Sequence, residues 1–391
     1  MLVLKELKKL MCGGIILALI IPALVYAAYR IYLIRDSFAS SSQKKFYASN
    51  TDNYERADYE SIKEESERLS AMFFSGNRTK EVRETQYVYA RAVRNLEYLR
   101  SYNDEMRSYV TRLEKEYLLE KSRNGGESIK AALLKKQVRY YNKKRGLKYL
   151  DADACRDFFF FFHRNDLNPV ISFMMLALTV IATAYLFFGD RLFGTREMIF
   201  QTVNGRKRLC AARLSSLLVF IVMLCLAEFT AELLIIVRFY GIKEFGAAIQ
   251  SVSEYEYMPF GITVLGYVLI CCLLRMCVLI FAAGICLLFG TMAGNPLRPL
   301  FLGAFVNIAI PYFYMDRYLN AENAGFETIK KTDMIRSFCP FCLLVPDYYF
   351  KGFDTTVLFG LNIFRFILPL IICFAVFICG AAVNMFFYRK E

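Results

Sequence analysis

Six strongly apolar runs, at 10–29, 169–188, 214–237, 261–289, 299–315 and 357–387, divide this chain, and charged stretches fill the spaces between them. About 20 apolar residues is the length an α-helix needs to cross a bilayer. Lipid offers a backbone no partners but its own, so such runs must be helical. Segregation of this kind reconciles 56% hydrophobic residues with 49 Lys+Arg and 36 Asp+Glu in 391 residues. The chain is expected to be an all-α integral membrane protein with six transmembrane helices. Its units are 1–34 (N-terminus and first span), 35–168 (a polar helical insertion) and 169–391 (a five-helix transmembrane region).

Orientation follows from the short loops, where Lys and Arg collect on the inner side. Arg191, Arg196, Arg206, Lys207, Arg208 and Arg213 lie between the second and third spans, and Arg389 and Lys390 follow the last. Both termini are therefore expected inside, and 35–168 and 316–354 outside. Lys5, Lys8 and Lys9 precede the first apolar run, as in a signal peptide. That run is longer than the usual h-region and ends on Val25-Tyr26-Ala27, a poor cleavage site, so a retained anchor is expected.

The insertion is charged, rich in Tyr and nearly free of Pro. Tyr89, Val93, Leu96, Leu99, Tyr102, Met106, Tyr109, Leu113 and Tyr117 recur in steps of three and four, a coiled-coil-like seam. Breaks at Ser75-Gly76-Asn77 and Asn124-Gly125-Gly126 predict helices over 52–74, 78–123 and 128–150. The middle one would be a rod of roughly 70 Å. Lys135, Lys136, Arg139, Lys143, Lys144 and Arg145 make its last part basic. This suits either a solvated helix face or a surface for an anionic polymer, lipid headgroups or an acidic peptide. Its tyrosines interleave with the charges as in nucleic-acid binders, but an outer placement argues against that partner. Phe158 to Phe162 then lead into the second span as an interfacial segment. His163 is the single His, which leaves no His-based triad or metal site within one chain.

Most of the twelve Cys sit in apolar runs as small apolar residues. Cys155, Cys339 and Cys342 are expected outside; Cys339-Pro340-Phe341-Cys342 reads as an outer disulfide or two free thiols, without the strand–helix setting of a redox domain. Inside the third span Glu228 and Glu232 share a helix face, and the fourth carries Arg275. A carboxylate in mid-bilayer needs a partner. Glu228 and Arg275 are expected to pair, either to hold two spans together or to line a polar pathway, while Glu232 reaches water. Arg365 is either buried in a last span beginning near 357 or interfacial to one beginning near 367, after a partial helix over 350–364.

The loop 189–213 reads as a short helix across the inner membrane surface: Thr195 can cap its start, and Asn204-Gly205 ends it. Asp190, then Gly194-Thr195, Glu197, Ile199, Thr202, Arg206 and Arg213 resemble the coupling loop of the ABC type-2 permease family, in its branch common among Gram-positive bacteria. The one-plus-five layout with a large outer segment is similar over almost the whole chain, the residue pattern only over 190–213. Asp190 stands where the family usually has Glu and Arg213 where it has Lys, so charge is kept. The resemblance implies an exporter permease in a bacterial plasma membrane, paired with a second permease subunit and driven by a separate ABC ATP-binding subunit docked on this loop. The sequence has no Gly-x-x-x-x-Gly-Lys-Ser/Thr run, so no cofactor is expected to bind directly and ATP would be used by the partner. No nucleophile, base or metal-ligand constellation points to an enzyme. The other reading is a non-transporting sensor that conveys a signal from its helical outer segment.

Overall fold

A computed structural model describes residues 2–12, 59–76, 79–124, 128–143, 147, 168–192, 205–240, 245–292, 297–309, 338–344, 347–350, 352–358 and 361–390. Ten α-helices are formed there: α1 Leu2–Cys12, α2 Tyr59–Phe74, α3 Lys80–Asn124, α4 Ile129–Tyr141, α5 Asn168–Leu192, α6 Gly205–Tyr240, α7 Val264–Met292, α8 Leu297–Ala304, α9 Asp347–Phe350 and α10 Ile367–Lys390. Two strands, β1 Thr355–Leu358 and β2 Leu361–Phe364, make an antiparallel hairpin in the register Thr355↔Phe364 to Leu358↔Leu361.

Among the described residues, four helices are long and apolar enough to cross a membrane, over Ser172–Gly189, Lys207–Ala231, Val264–Gly290 and Ile367–Phe386. They correspond to four of the six expected spans. Of the other two, 10–29 falls almost wholly outside the described residues, and 299–315 is described only to Ala309. There α8 passes into a π-helical turn, Phe305–Ala309, in which Asn307 donates to Gly303 O at 2.8 Å.

Helix α7 is the hub of the apolar core. It is hydrophobic all round, and most of its residues are buried among α5, α6, α8 and α10. Its closest neighbour is α10, where two glycines meet: a Cβ on Gly284 would lie 2.7 Å from Phe377 Cα, and one on Gly380 2.6 Å from Gly284 O. Lipid tails are as apolar as Leu, so helices associate in a membrane mainly by close packing, and small residues permit it. Six residues further along the same helix the Phe188 ring fills the space a side chain on Gly290 would need.

The polar insertion forms three helices where they were expected, the last ending at Tyr141; residues 52–58 lie outside the described residues. α3 has 45 residues and so is about 67 Å long. Of the expected seam Leu96, Leu99, Tyr102, Met106 and Leu113 are buried and Tyr89, Val93, Tyr109 and Tyr117 half-buried, while Val88, Ala92 and Val110, which the seam did not include, are buried beside them. Two short helices cover it: α2 packs along its first part and α4 along its last. Tyr59, at the start of α2, donates to Glu97 at 2.6 Å, and farther along Gln86 reaches Ser70 at 3.3 Å. Ser128 caps α4 by accepting from Ala131 N at 3.0 Å.

The middle of α3 rests on residues 245–263, the connection between α6 and α7. Tyr98 donates to Gln250 O at 2.7 Å, and the Tyr109 ring lies 5.2 Å from that of Tyr257. The connection is itself tied together, for the Gln250 side chain donates to Met258 O and Phe260 O at 2.9 and 2.7 Å. α3 is thus a crossbar docked at its centre, with α2 bracing one arm and α4 the other.

The hairpin corrects the expectations for 350–387. Residues 355–358 and 361–364 form neither a membrane span nor a partial helix; β-branched Thr355, Thr356, Val357 and Ile363 favour the extended chain. α10 begins at Ile367, two residues before Pro369, where a missing N–H is tolerated. Arg365 therefore lies at the base of the hairpin and pairs with Asp354 at 3.1 Å. The hairpin also grips the insertion: Asn362 donates to Ile129 O at 3.2 Å and accepts from Lys136 at 3.4 Å.

Candidate functional site

Arg275 of α7 and Glu228 of α6 form a hydrogen-bonded ion pair between two spanning helices. The Arg275 side chain is 4% exposed and that of Glu228 11%. Helix ends at Tyr240 and Val264 explain why they meet. Glu228 lies 12 residues before the end of α6, about 18 Å, and Arg275 lies 11 residues after the start of α7, about 16 Å. The expected ends at 237 and 261 left the two on different levels; the observed ones make them level, at similar distances from the two helix ends. Cys225 and Cys272 flank the pair, with Cys272 Sγ 4.0 Å from Cys225 O. Glu232 is on the same helix one turn on, and its side chain lies outside the described residues.

A second ion pair lies at the other end of α6. Arg213 is 1% exposed and faces Glu6 of α1 at 3.5 Å; Glu6 is itself buried and also holds Lys9 at 2.8 Å. Ser216 Oγ lies 2.9 Å from Val3 O. Arg213, read from sequence as the basic residue entering the third span, is thus also paired with the N-terminal helix. Sequence reasoning missed Glu6. Its signal was faint: one acid among Lys5, Lys8 and Lys9 on a strongly amphipathic helix.

Among the residues of the expected coupling loop, Asp190 is in the last turn of α5 and Arg206 in the first turn of α6, with side chains outside the described residues. Gly194, Thr195, Glu197, Ile199 and Thr202 also lie outside them. The helix ends that flank this loop, together with α1, are at the opposite end of α6 from residues 245–263, on which the insertion sits. The molecule therefore carries its polar helical domain and its basic loop at opposite ends of the apolar bundle.

Cys339 immediately precedes, and Cys342 lies within, a 3-10 turn, Pro340–Leu344, that packs against both α7 and α10, with the Phe341 ring 5.4 Å from that of Phe281. Both are free thiols and partly exposed. A hydrogen bond from Cys342, aided by the N–H groups of Phe341 and Cys342, holds the Cys339 thiol down to about 7 despite its burial.

At the junction of insertion and bundle, burial and the neighbouring Glu105 push the Glu256 carboxyl up, while a hydrogen bond with Tyr257 pulls the other way. Burial likewise raises the Tyr98 phenol. Nearby, the Tyr140 ring lies within 6.0 Å of those of Phe260, Phe353 and Phe364, and the Phe364 ring within 5.4 Å of those of Phe260 and Phe353, cementing α4 to the hairpin. No group of three or more His, Cys, Asp or Glu among the described residues is arranged to hold a metal ion. No family model matches the chain, and no curated protein sequence matches it.

Proposed function

We propose that this chain is the permease subunit of an ATP-driven ABC exporter, with six spans, both termini inside and the insertion outside. The observation that carries this reading is the run Asp190, Gly194-Thr195, Glu197, Ile199, Thr202, Arg206 and Arg213 between two apolar helices. A polar domain at one end of the bundle and a basic loop at the other support it. A separate ATP-binding subunit docks on 189–213, and its closure on ATP pushes on the ends of α5 and α6. The Glu228–Arg275 pair then carries the movement of α6 to α7, because separating the two charges inside lipid is expensive. Six spans make half of such a machine, so a second permease subunit completes it.

One observation favours the alternative, a membrane device that relays a signal without transport. The insertion is bonded to the segments that lead into α7 and α10, through Tyr141 to Tyr257 O at 2.6 Å and through Asn362. A load on the crossbar would thus reach the bundle directly.

The test is co-purification. An ATPase with a Walker A loop, encoded beside this chain, should come down with it. Gly194→Trp with Thr195→Trp, or Glu197→Lys, should abolish that association while the protein still inserts and folds. Association that survives both changes would remove 189–213 as the docking loop, and absence of any ATPase partner would favour the relay.

A further inference from the structure

The Cys339-Pro340-Phe341-Cys342 turn is not used by either functional reading. Cys342 N donates to Cys339 O at 3.1 Å, which closes a one-turn loop. A turn of this kind brings the first and fourth Cα atoms within about 7 Å, and a disulfide spans about 4.4–6.8 Å. That turn sets the two cysteines side by side, and the Cys342 side chain and the neighbouring N–H groups favour the Cys339 thiolate. Both residues are partly exposed and follow Phe338, which is 52% exposed. Cys225 and Cys272 are the informative contrast. They are also neighbours, but they face each other between two spanning helices, where a charged oxidant cannot follow.

We propose that Cys339 and Cys342 are a redox-active dithiol that closes to a disulfide by exchange with a small-molecule disulfide such as oxidised glutathione. Cys339 is the attacking thiolate. It bonds to one sulfur of the oxidant, the oxidant's S–S bond breaks, and the released thiolate takes up a proton. Cys342 then loses its proton and attacks the Cys339 sulfur of the mixed disulfide, expelling the second small thiolate, which that proton neutralises. Two protein thiols are oxidised, one small disulfide is reduced to two thiols, and no other reactant is needed. The new ring fixes a turn that is wedged between α7 and α10, the most intimately packed pair of helices. Nothing in this inference depends on transport or on an ATPase.

The full-length protein in detergent micelles is equilibrated with graded ratios of oxidised to reduced glutathione, quenched in acid, alkylated and analysed by peptide mass. The peptide holding both cysteines should lose the mass of two hydrogens in one two-electron transition, while Cys225 and Cys272 stay reduced. Cys342→Ser should stop the reaction at a glutathione adduct on Cys339. Cys339→Ser should leave Cys342 about tenfold less modified, since it lacks the thiolate that the turn stabilises. The proposal is overturned if the wild-type peptide remains doubly alkylated at the most oxidising ratio. Equal glutathione capture by the two variants would likewise overturn it.

Discussion

Removing one member of the Glu228–Arg275 pair should destabilise the protein far more than removing both, and the two single variants should differ. In Glu228→Gln the Arg275 guanidinium, 4% exposed and about 16 Å from the end of its helix, keeps its charge because Arg does not deprotonate in proteins. An unpaired Arg at that depth costs about 2.5–3.5 kcal/mol on insertion scales, and breaking a buried pair costs about 3–5 kcal/mol. We therefore expect Glu228→Gln to lose about 3 kcal/mol. Arg275→Met leaves a carboxylate instead, which can take up a proton and become neutral, so its loss should be smaller, about 2 kcal/mol. The double variant leaves no charge and should lie within about 1 kcal/mol of the wild type, a coupling of about 4 kcal/mol. Equilibrium unfolding by steric trapping in bicelles measures all four proteins in one medium. The reasoning fails if the double variant loses the sum of the singles, if Glu228→Gln costs under about 1 kcal/mol, or if Arg275→Met is the worse of the two.

Three further outcomes follow from the same geometry. Gly284→Ala puts a methyl 2.7 Å from the Phe377 backbone, which cannot rotate away, so the α7–α10 crossing must open and stability should fall by about 1–3 kcal/mol in the same assay. Arg213→Glu should strand Glu6 and raise hydrogen exchange in α1 about tenfold or more, and adding Glu6→Arg should restore protection; exchange that stays slow in the single variant would sever α1 from α6. Glu256 has its carboxyl pushed above the ordinary 4.5 by burial and then by Glu105, with Tyr98 and Tyr257 beside it, so the folded junction holds a proton more firmly than the unfolded one. Protection of the centre of α3 should then decline as pH rises from about 4.5 through that raised value and level off above it, and Glu256→Gln should flatten the curve.

The apolar runs and the three-four seam of α3 were legible because each is a local pattern: hydrophobic length fixes a span, and side-chain recurrence fixes which face of a helix is buried. The Glu228–Arg275 partnership was legible for a related reason. A mid-bilayer charge has so few acceptable environments that the candidates reduce to the other intramembrane charges. Glu6 with Arg213 escaped because both lie near the ends of apolar runs, where water and headgroups are equally acceptable partners. The hairpin at 355–364 escaped because Val357 to Phe364, flanked by more apolar sequence, looks like the continuation of a span; only its β-branched residues hinted otherwise.

By itself, then, the sequence determined that this chain builds apolar helices suited to a membrane and a long polar helix apart from them. The tertiary structure decided how these meet. It set the crossbar on 245–263, clasped α4 with the hairpin, brought α1 to α6 and folded the Cys339–Cys342 turn into the bundle. These contacts join residues as far apart as Ile129 and Asn362, 233 positions in sequence. Periodicity within one helix states which side must be covered, but any apolar or hydrogen-bonding surface can cover it. The choice among them is made only when all the helices pack at once.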